Sequence, residues 1–126
     1  MLSAQDAARL HPAPPITASK LARLRLLAAD SNPKIRASAA SSHHLPEDSF
    51  AALAADPDEA VRASVARNES APSDVLRSLA DDESERVRGF LAINHFAPAD
   101  VMERLADDSS EIVRGLVSWK GSLVGA

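Results

Sequence analysis

Arginine recurs at positions 36, 62, 88 and 114 and aspartate at 30, 56, 82 and 108, two series that each step by 26 residues. Leu27, Leu53, Leu79 and Leu105 keep the same step, as do Ile35, Val61, Val87 and Val113. A fixed period of this size marks a row of like units. Each is too small to bury its own apolar face, and each shelters that of its neighbour. The fold class follows directly: the spacing predicts an all-α solenoid of short helix pairs rather than a single central core.

Within one unit the residues divide into two helices. Pro46, Pro72 and Pro98 suit a first helical position, where a missing N–H costs nothing. Asp48, Asp74 and Asp100 follow two residues later, acids that favour the positive end of the helix dipole. Phe50, Leu76 and Met102 then pair at i,i+3 with Leu53, Leu79 and Leu105 in one apolar stripe. The second helix is read as starting from Asp56, Asp82 and Asp108 as N-caps, with Glu59, Glu85 and Glu111 completing a capping box. Val61 and Val65, Val87 and Leu91, and Val113 and Val117 lie four apart on its inner side. Between them sit Ala37, Ala63, Gly89 and Gly115, small enough to admit a neighbouring helix. Asn68 and Asn94 stand where a left-handed residue would end the helix.

Second helices are thus expected near residues 31–41, 57–67, 83–93 and 109–119. A degenerate first helix runs from Thr17 to Ala28, so residues 17–126 form one repeat domain. Residues 1–16 read as an N-terminal cap or partly ordered segment. A turn or two of helix at Gln5–Leu10 is stopped there by Pro12, Pro14 and Pro15.

The succession Leu53-Ala54-Ala55-Asp56, Val61-Arg62, Asn68 and Pro72-Ser73-Asp74-Val75-Leu76 resembles the leucine-rich repeat variant family of HEAT-like repeats. Leu79-Ala80-Asp81-Asp82, Val87-Arg88, Asn94 and Pro98-Ala99-Asp100-Val101-Met102 repeat the pattern. The resemblance covers roughly residues 20 to 120 and implies a right-handed superhelix of paired helices, one of which in each repeat is α or 3₁₀. The N-cap signature and the i,i+4 valines favour α here. A cysteine-rich iron–sulfur segment accompanies the repeats in one family member, but this chain has no cysteine and that chemistry is not carried over.

Composition removes several function classes. Without cysteine there is no disulfide, thiolate metal site or Cys nucleophile. A net charge of −4 and a pI near 5.5 argue against general binding of nucleic acid. No leader-like or membrane-length apolar stretch is present, so a soluble, cytoplasmic protein without membrane contact is expected. His43 and His95 are equivalent positions two units apart, on the order of 20 Å at ordinary helix spacing, and cannot share a metal. No nucleophile motif or phosphate loop appears, so neither catalysis nor a cofactor is expected. The arginine series reads as a structural ladder, each arginine answering an aspartate of the adjoining unit. On that reading Asp56, Arg62, Asp82, Arg88, Asp108 and Arg114 are scaffold.

The positions that fail to repeat are the ones available for work. The i, i+4, i+7 face of the second helix reads Lys34-Ser38-Ser41, Ala60-Ser64-Arg67, Arg86-Phe90-Ile93 and Ile112-Leu116-Trp119. It passes from polar to apolar along the chain. A partner-binding surface is therefore expected at Phe90, Ile93, Leu116 and Trp119, flanked by Ile112 and Arg86 with Arg67 at its polar end. The competing reading makes this stripe core, or has Ser122–Ala126 fold back over it. The expected function is a non-catalytic protein–protein interaction or scaffolding module. Its partner would be a protein, most simply a second copy closing the C-terminal end, where no further Pro-led helix follows Trp119. The alternative is a nucleic-acid-binding HEAT-like protein, with Lys34, Arg67 and Arg86 in a basic groove.

Overall fold

The computed structural model describes residues 16–124, which are helical without strands. The Gln5–Leu10 helix and the rest of the N-terminal segment through residue 15 lie outside the described residues. Eight α-helices follow in order among those described. They are α1 (Ala18–Ala28), α2 (Pro33–Ala40), α3 (Glu47–Ala54), α4 (Glu59–Arg67), α5 (Ser73–Ser78), α6 (Glu85–Ile93), α7 (Ala99–Ala106) and α8 (Glu111–Val124). The second helices α2, α4, α6 and α8 each pack on the next, while α1, α3, α5 and α7 accompany them as first helices. All four second helices are α. The 3₁₀ geometry appears instead at Leu79–Asp81, extending the short α5. There the Ser78 hydroxyl donates to the Val75 carbonyl at 2.6 Å and competes for the helix's own acceptor.

The core repeats with the sequence. Leu53, Leu79 and Leu105 are buried, as are Val61, Val87 and Val113, and Val65 and Leu91. Phe50 and Leu76 fill equivalent places, whereas Met102 is half-buried. The first unit is looser, with Leu27 and Leu26 exposed.

Helix starts differ from the sequence expectation by two residues. The N-caps are Asn32, Asp58 and Ser84, whose side chains accept from Lys34, from Ala60 and Val61, and from Val87 respectively. Asp56 and Asp82 are therefore not caps, and Glu59 and Glu85 stand at the first helical position rather than the third. The aspartates have another task. Their Oδ1 atoms accept the amides of Asn32, Asp58, Ser84 and Ser110 at 2.8 to 2.9 Å, bending the chain so that the residue two places on can cap. Pro46, Pro72 and Pro98 likewise occupy the N-cap itself, one residue before the expected place.

The same aspartates receive the preceding unit's arginine. Arg36 Nε donates to Asp56 Oδ2 at 2.8 Å, Arg62 to Asp82 at 2.9 Å and Arg88 to Asp108 at 2.9 Å, each with a second, longer bond from Nη2. Nη1 of each arginine, Arg114 included, reaches the main-chain carbonyl of the aspartate six residues earlier. Burial alone would raise the Asp56 carboxyl's pKa. The Arg36 hydrogen bond, the Asp58 amide and the charges of Arg36 and Arg62 outweigh it and hold the group below its usual range.

Asn68 and Asn94 do end α4 and α6, but with extended backbone (φ −77° and −66°) rather than left-handed. Their side chains turn back to the previous unit. Asn68 Nδ2 donates to the carbonyls of Ala40 and Ser42, both at 2.8 Å. Asn94 Nδ2 does the same to Ala66 and Asn68, at 2.8 and 3.1 Å. The Oδ1 atoms hold the amides of Ser70 and Phe96. In the last unit the equivalent position is Lys120, whose ammonium reaches the Asn94 carbonyl. Burial lowers its pKa. With no asparagine to end it, α8 continues to Val124, five residues past the expected 119.

Gly89 and Gly115 also part company. A Cβ on Gly89 would stand 3.3 Å from Leu116 Cδ1, so there the small residue does allow close approach. Around Gly115 nothing lies within 4 Å among the described residues. The expected packing role is absent there, because no described helix follows α8.

Replacing Asn68 by Ala leaves two inward carbonyls without their donor, and is expected to destabilise the protein by about 2 kcal/mol in urea denaturation. A loss below about 0.5 kcal/mol, the range of neutral surface changes, would contradict that role.

Candidate interaction surface

The residues left over by the core and the two ladders converge between α6 and α8. Phe90 projects from α6 one turn after Arg86. The Arg86 guanidinium lies 5.7 Å from its ring centroid, and that of Arg67, at the end of α4, lies 5.2 Å from it. Both distances are within the range of cation–π attraction, which adds to whatever the apolar stems of the arginines bury. Phe90 and Arg86 form one side of a cleft of about 250 Å³. Gly89 and Ile93 continue that side, Ile112 and Leu116 supply the other, and Glu85 stands at its rim. The cleft exists because Gly89 carries no side chain and Leu116 packs toward it.

Of the seven residues singled out from the sequence, the structure brings Arg86, Phe90, Ile93, Ile112 and Leu116 together as cleft lining, with Arg67 held against them through Phe90. Trp119 does not line the cleft. It lies farther along α8 and is 55 % exposed. Leu123, which the sequence reading placed in a covering tail, extends the same stripe, at i+11 from Ile112. Both ends are open to solvent, Ile112 being 63 % exposed and Leu123 62 %. Through Val124 the C-terminal residues continue the helix, so they do not fold back across the stripe. Phe90 and Leu116 are half-buried, and in that sense the stripe is partly core, as the competing reading held.

Elsewhere, charged side chains along the first helices pair with one another. Arg104 pairs with Asp81, and Arg77 bridges Asp74 and Asp100 at 3.0 and 2.9 Å. His43 Nδ1 lies 3.3 Å from the Ser70 hydroxyl, beside a polar hollow that includes Arg67 and Asn68. No group of three or more His, Cys, Asp or Glu side chains suited to a metal occurs among the described residues. No described helix is long and apolar enough to cross a membrane.

With this geometry in view, the repeated part of the chain finds a counterpart. Residues 59–84 match the leucine rich repeat variant family. No curated protein and no solved structure matches the chain. The leucine rich repeat variant match spans one full period, from the start of α4 to the cap of α6, and agrees with the resemblance drawn from the sequence. It contains Arg62 and its partner Asp82 together with Asn68, one Asp–Arg pair and one of the two asparagines that bond to the previous unit. Of the candidate surface it contains Arg67 alone. The family is one of helical repeats, an architecture suited to protein interaction. The residues lining the cleft thus all lie outside the matched period.

Trp119 is the only tryptophan, so its fluorescence reports the stripe directly. Its emission is expected at the long-wavelength, water-exposed end of the indole range and to be readily quenched by iodide. A blue-shifted emission shielded from iodide would show the stripe covered in solution.

Proposed function

We propose that the protein is a non-catalytic protein-interaction module, built as a right-handed α-solenoid on its 26-residue repeat. Its binding face is the non-repeating side of the second helices, at Arg67, Arg86, Phe90, Ile93, Ile112 and Leu116, with Trp119 on the continuing stripe. One observation carries this reading. Where the repeated leucines and valines from Leu53 to Val113 are buried and the ladder arginines Arg36, Arg62 and Arg88 are paired across units, an apolar cleft between α6 and α8 and three large side chains more than half exposed along α8 remain. Aromatic and aliphatic side chains beside arginine, partly preformed and open to water, are the composition of an interaction hot spot.

The exposure of Ile112, Trp119 and Leu123 on one helix face also favours a second reading, a self-complementary contact with another copy. Affinity capture from the native host separates the two when wild-type bait is compared with an Ile112→Ser, Trp119→Ala bait of equal thermal stability. Loss of one specific protein from the altered bait supports the module. Loss of the chain's own untagged copy instead, with a concentration-dependent sedimentation coefficient, supports the dimer. Identical captures from both baits would remove this face from consideration.

A further inference from the structure

The two arginines beside Phe90 differ from most of their kind in this chain. Arg36, Arg62 and Arg88 each reach a ladder aspartate, Arg77 reaches Asp74 and Asp100, Arg104 reaches Asp81, and Arg25 lies 3.6 Å from Asp48. Among the described residues the guanidinium groups of Arg67 and Arg86 make no ion pair and no hydrogen bond, although Glu85 is next to Arg86 and lines the same cleft. What holds them is the ring of Phe90. A guanidinium resting on an aromatic face keeps its N–H groups in its own plane, directed away from the ring, where they fit the two oxygens of a carboxylate. The cleft beside them is smaller than the pockets that enclose drug-sized ligands, and suits one or two apolar side chains.

We propose that the cleft receives a peptide segment of a protein partner in which an acidic side chain lies beside an aliphatic one. The aliphatic group enters between Ile93, Ile112 and Leu116, and the carboxylate is taken by Arg67 and Arg86. The inference rests on the interaction reading above and gives that partner its chemistry. Charge distribution selects an acidic peptide over a nucleic acid. The ladder arginines are occupied by aspartates, and Asp81, Asp82 and Glu83 immediately precede the cleft in a chain of net charge −4. A train of phosphates would need a row of unpaired cations, whereas a single carboxylate at a fixed distance from an apolar group needs only Arg67 and Arg86.

The test uses the full chain and a displayed library of random short peptides. Enriched sequences are expected to carry Asp or Glu within a few positions of Leu, Ile or Phe. A synthetic consensus peptide should weaken about tenfold or more when its acid becomes the amide, or when the protein carries Arg67→Gln and Arg86→Gln. Both arginines are exposed, so an unchanged thermal midpoint keeps the double variant interpretable. Enrichment without acidic residues, no enrichment at all, or displacement of the peptide by a lower concentration of single-stranded oligonucleotide would each overturn the proposal. Peptide binding that is indifferent to the two glutamines yet lost in Ile112→Ser would refute the acidic chemistry and leave the interaction reading standing.

Discussion

Asp56, Asp82 and Asp108 are each shared between units. Asp56 accepts the Asp58 amide on one carboxylate oxygen and the Arg36 fork on both, while its main-chain carbonyl takes Nη1 of Arg62. One residue therefore sets the turn into α4, joins the preceding unit and anchors its own arginine. Partly buried charges of this kind are costly to separate, because an unpartnered guanidinium or carboxylate at such a joint loses solvation without recompense. The unit-to-unit geometry is fixed wherever the three groups recur, at Asp56, Asp82 and Asp108.

The asparagines complete the joint from the other end of the second helices. With the Asp–Arg contact at the start of each and the Asn68 and Asn94 amides at the finish, neighbouring second helices are tied at both ends while valines and leucines fill the space between. Small aliphatic side chains alone would specify the spacing of helices less sharply than directional bonds do. Such a stack leaves the i, i+4, i+7 face out of both sets of directional bonds, although Phe90 and Leu116 on it pack partly against the core. The cleft between α6 and α8 lies on that face, as do the exposed parts of Ile112 and Trp119.

Much of this was legible in the chain itself, for stated reasons. A step of 26 in four residue classes points to like units side by side, and the charge complementarity of Asp and Arg points to the pairing seen from Arg36 to Asp108. Helix starts were misplaced because Asp56 and Asp58 are both competent caps, and only the arginine of the neighbouring unit decides which is free to act as one. Asn68 was assigned a local duty, ending the helix, although its bonds run to residues 26 and 28 positions earlier. The period already contained that signal, since Asn68 and Asn94 share it. On the candidate surface, failure to repeat singled out side chains of which Arg86, Phe90, Ile93, Ile112 and Leu116 line one cleft. The Arg67–Phe90 contact and the exclusion of Trp119 from the cleft depend on how far apart adjacent helices stand, which one-dimensional spacing does not contain.

The central claim is that residues 20 positions apart in sequence are energetically joined across each boundary between units. A double-mutant cycle on Arg62 and Asp82, each replaced by Ala singly and together and followed by urea denaturation, measures it most directly. The account predicts a coupling of about 1 kcal/mol or more, with the double variant less damaged than the sum of the single ones. Effects that add to within about 0.3 kcal/mol would show the two side chains to be independent, and would contradict it.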